Sequence, residues 1–196
     1  MSGARASARP TNCSAGSSAT PEVSANRSGA MAKSRAPARG AKITLKDVAD
    51  REFVLTCVLD APRDRVWEAW TRPEQVSRWL LGPEGWTMPL CEMDLRPGGS
   101  WRYGWSGPDG ATMETRGKYQ EIEPPERLVT TESWGKDWPE TVNTLLFTEG
   151  QGRTTITCRI LYASSKAREE ALATGMEQGL AASLERLASH LRAPAP

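Results

Sequence analysis

Six carboxylates, Glu84, Glu92, Asp94, Glu114, Glu121 and Glu132, are spread through the middle of this 196-residue chain. A carboxyl group held beside Trp or Tyr and away from water has its pKa raised and can serve as a general acid or base. Most of the six fall on the polar phase of strand-like segments, where water solvates them, and the sequence leaves open whether any points inward. The single histidine, His190, lies in the last turn of a helical stripe, where a cation suits the helix dipole. Four cysteines, Cys13, Cys57, Cys91 and Cys158, are widely spaced with no C-x-x-C. They form neither a zinc pattern nor a disulfide framework, and three of them fall inside apolar stretches and read as buried free thiols in a reducing cytosol. No G-x-x-x-x-G-K occurs, nor a G-x-G-x-x-G after a strand, and Gly98-Gly99 reads as a turn or bulge rather than a phosphate cradle. These residues assign no catalytic group, metal or cofactor, and they argue against an enzyme without closing the question.

The aromatic residues carry a stronger pattern. The chain has eight Trp against two Phe and three Tyr. In "SWRYGW", Trp101, Tyr103 and Trp105 stand at every second position, so on a strand they share one face and Arg102 takes the other. Each ring buries some 150–250 Å², so three left in water would make a large exposed patch. The neighbouring segment answers with Met113, Thr115, Gly117 and Tyr119, and "ERLVTTESW" ends in Trp134. A mixed lining of Trp, Tyr, Met and Thr suits an amphipathic pocket, whereas a dry core draws on Leu, Ile and Val.

The elements that must position these residues follow from periodicity. "REFVLTCVLDAP" alternates Phe53, Leu55, Cys57 and Leu59 and predicts a strand. Pro62 and the stripe Val66, Trp67, Trp70 predict a short helix, and "PEQVSRWLL" predicts a second one. From Trp86 to Tyr162 six strands follow, with "GQG" as a hairpin turn before the last. No break there holds a helical crossover, so the sheet is expected to be antiparallel. Leu172, Met176, Leu180, Leu184, Leu187 and Leu191 predict one long helix over 164–192, with Gly175 and Gly179 marking a close approach. Strands followed by helices packed on one side make an α+β domain.

Charge and composition bound the partners. Residues 1–40 hold six of the 25 Lys/Arg and one of the 24 Asp/Glu, leaving 19 and 23 for the rest, a net of −4. An acidic body argues against nucleic acid as the main partner. No run of about 18 apolar residues occurs, so no membrane span is expected. The Ala/Ser/Arg-rich segment 1–40 cannot offset its chain entropy and is expected to be a disordered tail, with Met31 as an alternative start and a transit peptide as another reading. The domain is expected over 41–192.

The stretches "VLDAPRDRVWEAWTRPEQVSRWL", "GPEGW", "DLRPGGSWRYGWSGPDG" and "GKYQEIEPPERLVTT" together resemble the SRPBCC, or START-like, superfamily, and within it the domain named for the activator of the heat-shock-protein-90 ATPase homologue. The resemblance runs from about Arg51 to Leu191. It implies the helix-grip fold, also called birch-pollen-allergen-like: a seven-stranded antiparallel sheet wrapped around a long C-terminal helix, with two short helices after the first strand. The superfamily binds lipids, sterols, polyketides and other hydrophobic molecules, and a minority are cyclases or oxygenase components. Carried over by position, the resemblance implies a pocket lined by Trp79, Trp86, Met88, Trp101, Tyr103, Trp105, Tyr119, Trp134, Met176 and Leu180. Three readings follow. The first is a cytoplasmic protein, monomer or homodimer, that binds a hydrophobic or amphipathic small molecule between sheet and helix. The second is a co-chaperone-like or regulatory protein-binding module with Trp86 and Trp138 as anchors. The third is a cyclase- or hydrolase-type enzyme using one buried carboxylate on an aromatic or polyketide-like substrate.

Overall fold

The computed structural model describes residues 41–193; the segment 1–40, with the expected tail and Cys13, lies outside the described residues. The first element is β1 (Lys42–Ala49), followed by β2 (Glu52–Leu59), α1 (Arg63–Thr71) and α2 (Pro73–Trp79). Six strands come next: β3 (Thr87–Met93), β4 (Ser100–Ser106), β5 (Thr112–Glu123), β6 (Arg127–Glu132), β7 (Thr141–Gly150) and β8 (Arg153–Leu161). Two helices, α3 (Ser165–Ala173) and α4 (Met176–Arg192), complete the order. The sheet therefore has eight strands rather than the expected seven, in the order β1-β2-β8-β7-β6-β5-β4-β3, with every pair antiparallel. The additional strand is β1, an edge strand whose short alternation, Ile43 and Leu45 between Lys42, Thr44 and Lys46, stops at Asp47. An antiparallel sheet with four helices is consistent with the helix-grip fold.

Local chemistry explains the joints. Gln151 and Gly152 both take left-handed φ, +56° and +69°, between Gly150 and Arg153, as a two-residue hairpin turn requires. Pro73 starts α2, where its fixed φ suits the first helical position. The expected single helix over 164–192 is broken. Gly175 sits at φ +82°, a conformation that ends α3, and the Gly175 N–H donates to the Leu172 carbonyl. The stripe of apolar residues continues across this break, so periodicity alone cannot reveal it. Gly179 is exposed and a Cβ there would meet nothing within 4 Å, which corrects its reading as a point of close approach.

The main core joins Phe53, Leu55 and Cys57 of β2, Phe147 of β7 and Ile156 of β8 to Val66 and Trp67 of α1 and to Leu184, Leu187 and Leu191 of α4. A smaller cluster holds Val76, Met88 and Trp105, with Trp86, Cys91 and Met113 packed on it. Arg186 of α4 links the helices to each other: its guanidinium donates to the carbonyls of Trp79 at 2.9 Å and Gly82 at 2.6 Å. Among the described residues no helix is long and apolar enough to cross a membrane.

Candidate functional site

The alternation in β4 holds. Trp101 and Trp105 are buried, Tyr103 is half-buried, and Arg102 lies on the outer face between Glu92 and Glu114. Such exposed cross-strand pairs contribute only about 0–1 kcal/mol. The three inner rings touch in sequence: Trp101 lies 4.8 Å from Tyr103, and Tyr103 lies 6.3 Å from Trp105 in an edge-on contact. Trp105 then stacks on Trp134 at 5.7 Å and 12° and donates its indole N–H to the Leu80 carbonyl at 2.6 Å.

Register places a carboxylate opposite this wall. Trp101 pairs with Gly117, and Glu132 pairs with Thr141. The Arg116–Ser133 bridge and the Tyr119–Thr130 pair bracket Gly117 and set it beside Glu132. One inner-face row therefore reads Trp101, Gly117, Glu132, Thr141. Gly117 has no side chain, and the Trp101 ring lies across it: a Cβ there would be 2.7 Å from Cζ2 of Trp101.

Of the six candidate carboxylates, five are exposed and Glu132 alone is not. Burial raises its carboxyl above the usual carboxylate range, and donors on Asn143 and Trp134 pull it partly back. The Asn143 amide donates to Glu132 in a short contact, and the Thr141 hydroxyl donates to Oδ1 of Asn143 at 3.2 Å. Around this pole stand Tyr103, whose phenol burial raises well above its ordinary value, and Cys158, whose thiol burial and Glu132 push up to about 12. Tyr103, Glu132 and Cys158 are each half-buried on this inner face.

Two further polar groups lie on this inner face. The hydroxyl of Tyr119 is buried beside the Tyr103 phenol, with which it interacts as a hydrogen-bonding neighbour. The indole Nε1 of Trp101 is buried and has no hydrogen-bond partner in the protein, whereas buried polar groups are paired in the great majority of cases. Above them, Tyr162 donates to the Met176 sulfur at 3.0 Å. Leu172, Met176 and Leu180 are only half-buried, whereas Leu184, Leu187 and Leu191 are fully buried. The helical cover is thus tight at the C-terminal end of α4 and loose around the α3–α4 break.

The ten residues expected to line a pocket divide accordingly. Trp101, Tyr103, Tyr119, Met176 and Leu180 pack on the main core cluster; Trp86, Met88, Trp105 and again Tyr103 pack in the smaller one. Trp79 is buried against Trp70 and donates to the Ala69 carbonyl at 2.9 Å, so its polar end is already satisfied. Trp134 is 41% exposed. His190 accepts no cationic role: burial and the nearby Arg78 and Arg65 lower its pKa, and its ring lies 2.6 Å from Gln75. Glu132 and Asn143 are the site residues that sequence reasoning does not single out. Among the described residues no three His, Cys, Asp or Glu side chains converge as a metal set.

Two hollows among the described residues are a crevice of about 10 Å³ between β2 and the end of α4 and an open groove of about 530 Å³ bordered by Gly98, Lys118, Tyr119, Gln120, Thr131 and Glu140.

Comparison with known proteins agrees with this architecture. The family model described as "Activator of Hsp90 ATPase homolog 1-like protein" matches residues 60–192. No curated protein matches the chain. A crystal structure of a Rhodobacter sphaeroides protein is 27% identical, with a TM-score of 0.71, and the match covers 76% of this chain and 97% of that one. A solution structure of an Arthrobacter aurescens protein is 26% identical with a TM-score of 0.69, covering 78% and 92% of the two chains. The crystal structure of Ms6760 from Mycobacterium smegmatis is 25% identical with a TM-score of 0.68, covering 78% and 100%.

Proposed function

The chain belongs to the activator of Hsp90 ATPase homolog 1-like family, and from that premise we propose that residues 41–192 form a domain that binds a hydrophobic or amphipathic small molecule between the sheet and its C-terminal helices. The observation that carries this reading is the set of half-buried inner-face side chains, Tyr103, Glu132 and Cys158, beneath the equally half-buried Leu172, Met176 and Leu180. In this reading the sheet closes on α4 as a helix-grip, and Trp101, Tyr103, Tyr119, Met176 and Leu180 contact the ligand. Trp86, Trp105 and Trp134 border its entrance, and Trp79 and Met88 support the wall. The ligand enters by lifting α3 and the first turns of α4, the half-buried part of the cover. A ligand of about 20 heavy atoms at roughly 0.3 kcal/mol each would bind near −6 kcal/mol, a Kd of tens of micromolar. Solvent extraction of the purified protein, mass spectrometry of the extract and Trp emission before and after test this. A released compound with a changed emission supports it; an empty protein whose emission also ignores added small aromatics refutes it.

One observation favours a second reading, a regulatory module that docks a chaperone or another protein. Trp134 is exposed yet held rigidly by stacking on Trp105, and preorganised Trp side chains are common anchors of interfaces. Titration of the protein into a purified Hsp90-type ATPase would show a rate change that Trp134→Ala removes; an unchanged ATPase rate eliminates this reading.

A further inference from the structure

Resting on the small-molecule reading above, we propose that the interior is built for an aromatic ligand with a hydrogen-bond donor at one end and an acceptor at the other. Glu132 takes the donor, and Trp101 Nε1 takes the acceptor.

The inference follows from an inventory of unspent hydrogen bonds. A carboxylate offers about four acceptor sites and no donor. Asn143 and Trp134 supply donors to Glu132, and among the described residues no Lys or Arg forms an ion pair with it. Acceptor capacity is therefore left over, and the Asn143 amide, oriented by the Thr141 hydroxyl, holds the carboxylate in place. On the other side, Trp101 is 5% exposed and its indole N–H finds no protein partner. An indole N–H can only donate. The two poles lie in one inner-face row, with Trp101 and Glu132 flanking the bare backbone of Gly117. The Trp101 ring lies across that glycine and Tyr103 lies against it, so a flat ring system is the chemistry that matches this wall.

Partitioning makes the test discriminating. A hydroxyl or carbonyl group lowers the tendency of an aromatic to leave water, so an undifferentiated greasy cavity would bind naphthalene more tightly than its polar derivatives. A site with paired poles reverses that order, because it leaves its own groups unsatisfied around naphthalene. Calorimetric titration of the full chain at pH 7 with naphthalene, 2-naphthol and 2-acetonaphthone reads the order directly. The expected result is about tenfold tighter binding of both 2-naphthol and 2-acetonaphthone than of naphthalene. Glu132→Gln should weaken 2-naphthol more than 2-acetonaphthone, and Trp101→Phe should weaken 2-acetonaphthone more than 2-naphthol. If all three probes bind wild type equally, or naphthalene binds best, the proposed poles are wrong while the ligand-binding reading survives. If none of the three binds, the ligand-binding reading falls with it. The wild-type series needs no variant, so a poorly folded variant leaves the test intact.

Discussion

Alanine in place of Gly117 puts a methyl group 1.8 Å from the Thr131 carbonyl oxygen and 2.7 Å from Cζ2 of Trp101. The first contact is with backbone, which cannot rotate away, so β5 and β6 must separate locally. The second pushes the Trp101 ring off the strand it lies across. Overpacking a well-filled site costs about 1–3 kcal/mol, and a clash against backbone belongs at the upper end. Taking about 3 kcal/mol, and about 2–4 °C of Tm per kcal/mol for a domain of this size, Gly117→Ala should lower Tm by about 6–12 °C. Thermal melts followed by circular dichroism measure the loss. Trp emission measured at a temperature where the variant is still folded reports whether the Trp101 environment has changed. A Tm within about 2 °C of wild type and an unchanged emission would show that β5 and β6 do not converge as described. The row of Trp101, Gly117 and Glu132 would then lose its geometric basis.

Other substitutions probe the same site from different sides. Gly179→Ala, on an exposed helical position with open space around it, should raise Tm by about 2–4 °C, since Ala is about 1 kcal/mol better in a helix; a lower Tm would mean that something packs there. Trp105→Phe strands the Leu80 carbonyl that its indole now satisfies and should cost about 1–3 kcal/mol, whereas Trp101→Phe removes an N–H with no protein partner and should cost far less; urea denaturation that ranks them the other way contradicts the hydrogen-bond assignment. Glu132→Gln tests the raised carboxyl pKa. Well below the unfolded carboxyl pKa both states are protonated and the carboxyl carries no charge penalty; the penalty grows as pH rises past the unfolded value and levels off above the raised folded one. The Tm of Glu132→Gln relative to wild type should therefore be more favourable at pH 8 than at pH 4, and a flat difference would refute the desolvation. Arg186→Lys keeps the charge but cannot bridge the Trp79 and Gly82 carbonyls as a guanidinium does; it should cost about 1.5–3 kcal/mol in the same denaturation assay.

How much of this is legible in the sequence depends on whether an element has one buried face or two. β4 is legible because Trp101, Tyr103 and Trp105 alternate with the exposed Arg102, and β2 because Phe53, Leu55, Cys57 and Leu59 repeat every second residue. The antiparallel order, the two short helices and the 150–153 turn follow from equally local signals. The helix break at Gly175 is hidden because a left-handed glycine stops the backbone while the apolar spacing runs on. The pole of the site is hidden for a different reason. In β6, Leu128, Val129, Thr130 and Thr131 are all buried, so the strand has no polar phase from which to judge where Glu132 points. Its direction is fixed only by register, through the Glu132–Thr141 and Arg116–Ser133 pairs on either side, and register is a property of strands far apart in the chain. The same holds for Asn143, an unremarkable polar residue in "TVNTLLF" until pairing brings its amide to the carboxylate. A carboxyl group inside a sheet is tolerated only when it is neutralised or paired, and the partner that meets this need for Glu132, Asn143, is brought to it by the same register that hides both from the sequence.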